Sequence, residues 1–179
     1  GTCRPCRLGN AHLCNNTTYP GIDIDGAFAD YVTVPALIAW KNPKDLPHET
    51  AAMLEPFGIG VHACLEGSGV SGQTVLINGC GPIGLMAVSV ARALGASRII
   101  AADLNPLRLK TAEIMGADRA VKADDENLGD VVRDMTGGEG ADVGIEFSGS
   151  EPGFQAVFDS LCKGGDFRLV GAPPKAIPV

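Results

Sequence analysis

A glycine-rich turn between an apolar run and a helical pattern is the strongest constraint in this sequence. The run from Thr74 to Asn78 is followed by Gly79, Gly81 and Gly84. In a strand-turn-helix unit the first glycine permits the tight turn, the second lets the backbone approach a pyrophosphate, and the third lets the helix pack closely against the sheet. We therefore predict that this turn binds a dinucleotide, whose phosphates lie at the amide end of the helix.

An acidic residue closes the next apolar run. Asp103 lies nineteen positions after Gly84. A carboxylate at this place accepts hydrogen bonds from both ribose hydroxyls and repels a 2′-phosphate, so the sequence predicts NAD rather than NADP. Arg108 is able to serve a 2′-phosphate, but it follows an intact Asp103, and we expect it to lie along the adenosine or to face solvent. The alternative for Asp103 is an ordinary solvated acid at the end of a strand.

Strand and helix patterns alternate beyond residue 73. This alternation is typical of a parallel sheet covered by helices on both faces, and we predict an α/β fold with a Rossmann-type doubly wound sheet. The predicted strands cover residues 74–78, 98–103, 119–122, 142–147 and 166–171. The predicted helices cover residues 82–95, 106–115, 126–136 and 151–161. A six-stranded sheet of this type needs one further strand, so we expect the domain to lack its last strand.

The first 73 residues have a different character. A cysteine-rich loop precedes a strand-like run at residues 27–35, and a helix begins near Asp45 to Pro47. We expect Pro56 to break that helix and a second helical segment to follow through Phe57 to Glu66. The stretch is too small for a core of its own. The predicted divisions are therefore the end of an upstream domain (1–55), a connecting helix (56–73) and an NAD-binding domain (74–179).

Three cysteines near the start have the spacing of metal ligands. Cys3 and Cys6 are separated by two residues, and Cys14 follows after seven more. Short loops of this kind can hold three thiolates around one tetrahedral zinc ion, although a closed structural site takes four ligands. His12 is a possible fourth ligand at an awkward distance. The alternative is a group of thiols that lie near one another in a reducing compartment without a metal.

Composition excludes several classes of partner. The net charge is −7 and no basic residues are clustered, so we expect neither nucleic acid nor anionic lipid as a partner. The most apolar helical stretch, Leu85 to Leu94, is too short to span a membrane. The sequence does not begin with a signal-peptide pattern, and we expect a cytoplasmic protein.

Taken together, the cysteine loop, the strand-like run and the glycine turn resemble the zinc-dependent medium-chain dehydrogenase/reductase family, over essentially all 179 residues. The structural-zinc loop of that family has four cysteines. Cys3, Cys6 and Cys14 match its second, third and fourth, and the first is expected immediately before Gly1. The resemblance implies that the residues before the connecting helix are a remnant of a GroES-like catalytic domain.

Several segments are most similar to the family members that oxidise L-threonine. They are Cys14 to Thr17, Gly21 to Tyr31, Glu55 to Gly58, and Asp142 to Gly149. The resemblance implies that a catalytic zinc lowers the pKa of the substrate alcohol while hydride leaves for the nicotinamide ring. Of the ligands of that zinc, only the acid that matches Glu55 lies in this chain. Without the resemblance, Glu55 is an ordinary carboxylate before a proline.

The carboxyl edge of the sheet is where an open α/β fold binds its ligand, and two predicted strands end there in small residues. We expect their backbone groups to meet the nicotinamide half of the cofactor. The predicted cofactor-binding residues are Gly79, Gly81, Pro82, Ile83, Gly84, Asp103, Arg108, Ser148, Gly149, Val170 and Gly171. The predicted metal ligands are Cys3, Cys6, Cys14 and Glu55, of which Glu55 is the catalytic residue.

Three functions are compatible with these patterns. The first is an NAD- and zinc-dependent dehydrogenase of small alcohols that oxidises the 3-hydroxyl of L-threonine, or alternatively a butanediol or polyol. The second is a segment that binds NAD but catalyses nothing, and the third is a structural zinc module with a vestigial nucleotide site. We expect the first, with this chain inactive alone and with homo-oligomers among its full-length relatives.

Overall fold

The computed structural model describes residues 1–176, which form parts of two compact units, residues 1–45 and the chain from residue 46 onward. The functional division after residue 55 remains a prediction. Within the described part of the chain, every helix is too short or too polar to cross a membrane.

The first unit consists mostly of loops. It contains the one-turn helix α1 (Arg4–Arg7) and two short 3-10 turns at Ala11–Leu13 and Ala36–Ile38. The predicted strand at residues 27–35 is wrong, because the structure shows no strand there. A strand needs a partner for its backbone hydrogen bonds, and the one β-bridge described in this unit joins Pro20 to Ile24 instead.

The second unit alternates helices and strands. In chain order its elements are α2 (His48–Ala52), α3 (Leu54–Leu65), β1 (Thr74–Asn78), α4 (Pro82–Ala93), β2 (Arg98–Asp103), α5 (Pro106–Ile114), β3 (Arg119–Lys122), α6 (Leu128–Met135), β4 (Ala141–Glu146), α7 (Glu151–Phe158) and β5 (Leu161–Leu169). The first three strands have the predicted bounds. Each predicted helix from α4 onward is confirmed, although each ends one to three residues earlier than expected and α6 begins two residues later.

All five strands are parallel, in the order β3-β2-β1-β4-β5, and this confirms the predicted Rossmann-type sheet. The central strand β1 pairs on both sides, so that Val75 lies opposite Ile99 of β2 and Val143 of β4. The strand order reverses between β1 and β4. In an open α/β sheet a ligand crevice forms at that point, beyond the carboxyl ends of the strands.

The core has two layers, one on each face of the sheet. Val75 and Ile77 belong to one layer, with residues of α3, α4 and α5, whereas Leu76 belongs to the other, with Val132 of α6 and Val157 of α7. The alternation follows from strand geometry, because successive side chains point to opposite faces. All five residues of β1 are buried, as expected for a strand covered on both sides.

Several expected boundaries are corrected by the structure. β4 covers Ala141–Glu146 rather than 142–147, and β5 ends at Leu169 rather than at residue 171. β5 begins at Leu161, five residues before the predicted start, because Leu161 pairs with Ala141 ahead of an irregularity in the ladder. The helix break lies at Met53 rather than at Pro56. Pro56 is in the first turn of α3, where a missing N–H costs no helical hydrogen bond.

A buried guanidinium ties α3 to the sheet. Arg168 of β5 donates to the carbonyl oxygens of Ala63 (2.8 Å) and Gly69 (2.9 Å), and its side chain is only 9% exposed. The carboxylate of Asp166 lies 3.2 Å from the same guanidinium. Arg168 therefore helps to fix the orientation of the helix that carries Glu55.

We expect the substitution Arg168→Ala to lower the free energy of unfolding by about 2 to 3 kcal/mol, because two carbonyls lose their donor at a site that water hardly reaches. Urea denaturation provides the measurement. Arg133→Ala is the matched control: its guanidinium is 49% exposed and pairs with Asp130 within one helix, so its loss changes stability by about 0.5 kcal/mol or less. Equal effects of the two substitutions would contradict this account.

Candidate functional site

The turn after β1 has the geometry that its glycines predict. Gly79 has a φ of +94°, and a methyl group on it would lie 2.7 Å from the backbone nitrogen of Ser148. A methyl group on Gly84 would overlap the carbonyl oxygen of Gly79. A methyl group on Gly81, by contrast, would lie in open space, with no other atom within 4 Å of it. The first and third glycines therefore allow close packing, while the second faces room for a ligand.

Helix α4 begins at this open position. Gly81 is its N-cap and Pro82 is its first residue, and no side chain of residues 1–176 caps this helix end. The first amides of a helix lack partners within the helix, and together with the helix dipole they attract anions. Pro82 and Ile83 thus belong to the turn that presents these amides.

Asp103 lies at the end of β2 and holds the glycine turn in place. Its carboxylate accepts hydrogen bonds from the backbone N–H groups of Cys80 (2.7 Å) and Asn105 (2.8 Å). The side chain is 8% exposed, and the Arg108 guanidinium lies 3.6 Å away. Each carboxylate oxygen can accept more than one hydrogen bond, so capacity for ribose hydroxyls remains. The structural role toward Cys80 was not predicted from the sequence.

A cleft of about 880 Å³ runs along the carboxyl ends of the strands. Of the predicted cofactor residues, those that line it are Gly79, Gly81, Asp103, Arg108 and Ser148. The remaining ones, which do not contribute to the described lining, are Pro82, Ile83, Gly84, Gly149, Val170 and Gly171. The cleft thus lies at the reversal of strand order and has a volume typical of small-molecule and cofactor sites.

Beside this cleft, a fully buried carboxylate lies at the end of β4. Glu146 accepts hydrogen bonds from the backbone N–H groups of Ser148 (2.7 Å) and Gly149 (3.0 Å), from the Ser148 hydroxyl, and from the Asn78 side chain (3.2 Å). Sequence reasoning assigned no role to Glu146 or Asn78. The available signal was a charged residue between the apolar Ile145 and Phe147 at the end of a strand.

The structure brings the three predicted cysteine ligands together. The Cys3 sulfur lies 3.4 Å from that of Cys6 and 3.9 Å from that of Cys14, and the three sulfurs are within 4.8 Å of one another. A zinc-sulfur bond of about 2.3 Å implies sulfur-sulfur distances of about 3.8 Å in a tetrahedral site. The donor set therefore fits a zinc ion. Within the part of the chain that is described, His12 is not a member of this cluster.

The hydrogen bonds in this cluster favour a thiolate. Backbone N–H groups of Cys6 and Asn15 and the Cys6 thiol lower the pKa of Cys3 to about 6. Burial has the opposite effect in the second unit, where it raises the pKa of Cys64 to about 11 and that of Cys80 to about 12. Thiolates bind metals and thiols do not, so Cys3 differs chemically from the buried cysteines, while its hydrogen bond to Cys6 raises the pKa of the Cys6 thiol.

Glu55 is an exposed residue in the first turn of α3. Among the described residues, no group of three or more potential metal ligands includes Glu55. Its role as a ligand remains a prediction. His62, on the same helix, lies 3.3 Å from the carboxylate of Glu66 one turn later.

Comparison with known proteins identifies the family. Residues 82–179 match the family model described as "Zinc-binding dehydrogenase". The chain belongs to the zinc-binding dehydrogenase family. The matched segment begins at the helix that follows the glycine turn and includes Asp103 and Ser148.

The chain is also similar to curated proteins along nearly all of its length. It is 46% identical to "L-threonine 3-dehydrogenase" of Shewanella frigidimarina (strain NCIMB 400), covering 97% of this chain and 50% of that protein. It is 42% identical to "L-threonine 3-dehydrogenase" of Yersinia enterocolitica, covering 100% of this chain and 52% of that protein. The chain thus spans about half the length of the curated relatives that it matches.

Solved structures agree with the zinc-binding dehydrogenase fold. Galactitol-1-phosphate dehydrogenase from Escherichia coli has a TM-score of 0.90 and 26% identity, covering 99% of this chain and 51% of that one. An alcohol dehydrogenase from Thermus sp. ATN1 has a TM-score of 0.87 and 30% identity, covering 100% of this chain and 55% of that one. The family is therefore one of oxidoreductases.

We expect Cys3 to be the first thiol alkylated by iodoacetamide in the presence of a chelator. Because the reactive thiolate forms above the pKa, the alkylation rate of Cys3 should reach half of its maximum near pH 6 and decrease further at lower pH. Cys64 and Cys80 serve as internal controls and should stay unmodified up to about pH 9, since each is buried and protonated. Zinc should protect Cys3. Mass spectrometry of peptides measures all three, and a Cys3 midpoint near pH 8.5, the usual value, would contradict the prediction.

Proposed function

We propose that this chain supplies the NAD-binding domain and the zinc loop of a dehydrogenase that oxidises the 3-hydroxyl of L-threonine by hydride transfer to NAD. The observation that carries the proposal is the cleft at the reversal of strand order, with the glycine turn on one wall and Asp103 beside it. The identity of 42 to 46% with relatives named for threonine supports the substrate. By itself the chain binds NAD without turnover.

In this proposal, the parts of the dinucleotide bind one after another along the cleft at the sheet edge. The pyrophosphate lies over Gly81 at the amide end of α4, where a methyl group would meet no protein atom. The adenosine ribose lies toward β2, where Asp103 accepts hydrogen bonds from the ribose hydroxyls and Arg108 borders the cleft. The nicotinamide half then lies on the other side of β1, near Ser148.

Two zinc ions have different places in this proposal. Cys3, Cys6 and Cys14 would hold a structural ion, and their three converging sulfurs support this. Glu55 would contribute to the catalytic ion of the complete enzyme. When bound, a catalytic zinc polarises the alcohol and lowers its pKa, which makes hydride loss from the adjoining carbon easier. The task of the residues in the cleft is to orient the ring that receives the hydride.

A polyol or butanediol dehydrogenase is the second candidate. The structure of galactitol-1-phosphate dehydrogenase is very similar to this one, with a TM-score of 0.90. Its identity of 26% is nevertheless well below that of the threonine-named relatives. Threonine is therefore the first substrate to test.

We expect Asp103→Gly to lower the preference for NADH over NADPH by about tenfold or more, because it removes the charge that repels a 2′-phosphate. The substitution also removes the hydrogen bond to Cys80 and so loosens the glycine turn, but this weakens the binding of both cofactors alike. The ratio of their dissociation constants, measured by calorimetry, therefore isolates the ribose site.

Asp118→Gly is the matched control for this experiment. Asp118 also accepts a hydrogen bond from a backbone amide, that of Ile99, and lies at the opposite edge of the sheet, just before β3. We expect its replacement to leave the cofactor ratio unchanged. A ratio unaffected by Asp103→Gly would remove the assigned role of that carboxylate.

The activity itself is tested by NADH production from L-threonine, 2,3-butanediol and sorbitol. We expect the 179-residue chain to give no turnover. We expect a chimaera in which this chain replaces the matching half of the Shewanella frigidimarina relative to prefer L-threonine. In that chimaera, Glu55→Ala should lower kcat/KM about a hundredfold or more if Glu55 serves the catalytic zinc.

Glu49→Ala provides the control, since Glu49 is exposed in α2, close in sequence to Glu55. It should leave kcat/KM unchanged. Preference for a diol would move the assignment to the second candidate, and turnover by the unextended chain would refute its proposed inactivity.

A further inference from the structure

The carboxylate of Glu146 is a buried charged group to which the proposed function assigns no task. Glu146 has no exposed surface, yet it lies beside the cleft. A buried carboxylate is costly unless hydrogen bonds satisfy it. Here the carboxylate accepts from four donors, which are two backbone amides, one hydroxyl and one side-chain amide. The position thus concentrates four donors on a single side chain.

These donors come from separate parts of the sheet edge. Asn78 belongs to the end of β1, whereas Ser148 and Gly149 form the turn after β4. The backbone of Glu146 adds a third connection, because its carbonyl oxygen accepts from the N–H groups of Val170 (2.9 Å) and Gly171 (2.8 Å) after β5. One residue therefore joins the ends of three neighbouring strands.

We propose that Glu146 is a positioning residue that holds the Ser148-Gly149 turn in the shape required by the nicotinamide half of the cofactor. The inference rests on the proposed function, which places that half of NAD beside Ser148. Glu146 itself is buried beneath the turn and does not need to touch the ligand. Its effect passes through the two amides that it binds.

The chemistry of the donors explains why a carboxylate is required. Oε1 accepts from the Ser148 amide and Oε2 accepts from the Gly149 amide. A glutamine has the same shape, but its NH₂ group would face one of these N–H groups in either orientation. Two donors would then oppose each other, and the turn would have to move. Space is limited on the far side, since a methyl group on Gly171 would lie 2.7 Å from Oε2.

The test compares two ligands that differ only in the nicotinamide. We measure dissociation constants of NADH and ADP-ribose by calorimetry for the 179-residue chain and for its Glu146→Gln variant. The proposal predicts that the variant weakens NADH binding about tenfold more than ADP-ribose binding, the effect of about one lost hydrogen bond. A merely structural role would weaken both ligands equally.

Two further variants make the comparison robust. Glu113→Gln repeats the chemical change on the exposed face of α5 and should alter neither constant. Asn78→Ala removes one donor to Glu146 and a longer hydrogen bond to the Ser148 hydroxyl (3.4 Å). It should also weaken NADH binding more than ADP-ribose binding, but by a smaller factor than Glu146→Gln. If Glu146→Gln does not fold, as judged by circular dichroism, Asn78→Ala decides the question.

The outcomes separate the two proposals. The positioning role is overturned if Glu146→Gln and Asn78→Ala lower the affinities for NADH and ADP-ribose equally, or not at all. Either result leaves the proposal of NAD binding intact. Binding of neither ligand by the unmodified chain overturns the proposed function instead. A selective loss of NADH in the variants supports both.

Discussion

Parallel pairing of β1 with β2 on one side and with β4 on the other is the constraint on which the site depends. It places the glycine turn, Asp103 and the Ser148-Gly149 turn at one edge of the sheet, although they are far apart in sequence. The close approach of Gly79 to the Ser148 nitrogen shows how tight that junction is. A side chain at Gly79 would separate the two halves of the crevice.

Two buried carboxylates stabilise this edge in the same manner. Asp103 binds the amide of Cys80 on one side of β1, and Glu146 binds the amides of Ser148 and Gly149 on the other. In both cases a side chain at a strand end satisfies backbone groups of a turn that has no ladder partner of its own. The turns that border the cleft are thus held by acceptors in the adjoining strands.

Much of this architecture was predictable from the sequence because it depends on local patterns. Alternating apolar runs and the glycine spacing were enough to locate β1, β2 and β3, and cysteine spacing was enough to indicate the thiol cluster. The role of Glu146 was not predictable, since local sequence does not show that its side chain is fully buried beside β1, where Asn78, 68 positions earlier, donates to it. The strand predicted at residues 27–35 failed for a related reason, because local alternation cannot reveal whether a partner strand exists.

The thiol cluster and the crevice place different demands on the folding chain. The three sulfurs fall within the twelve residues from Cys3 to Cys14, so closing that loop sacrifices little chain entropy. The crevice instead requires Val75 to find Val143, 68 positions along the chain. Contacts that are close in sequence form faster than distant ones. The three thiols can therefore come together while the crevice is still incomplete, so that zinc and NAD, if they bind as proposed, would be captured in that order.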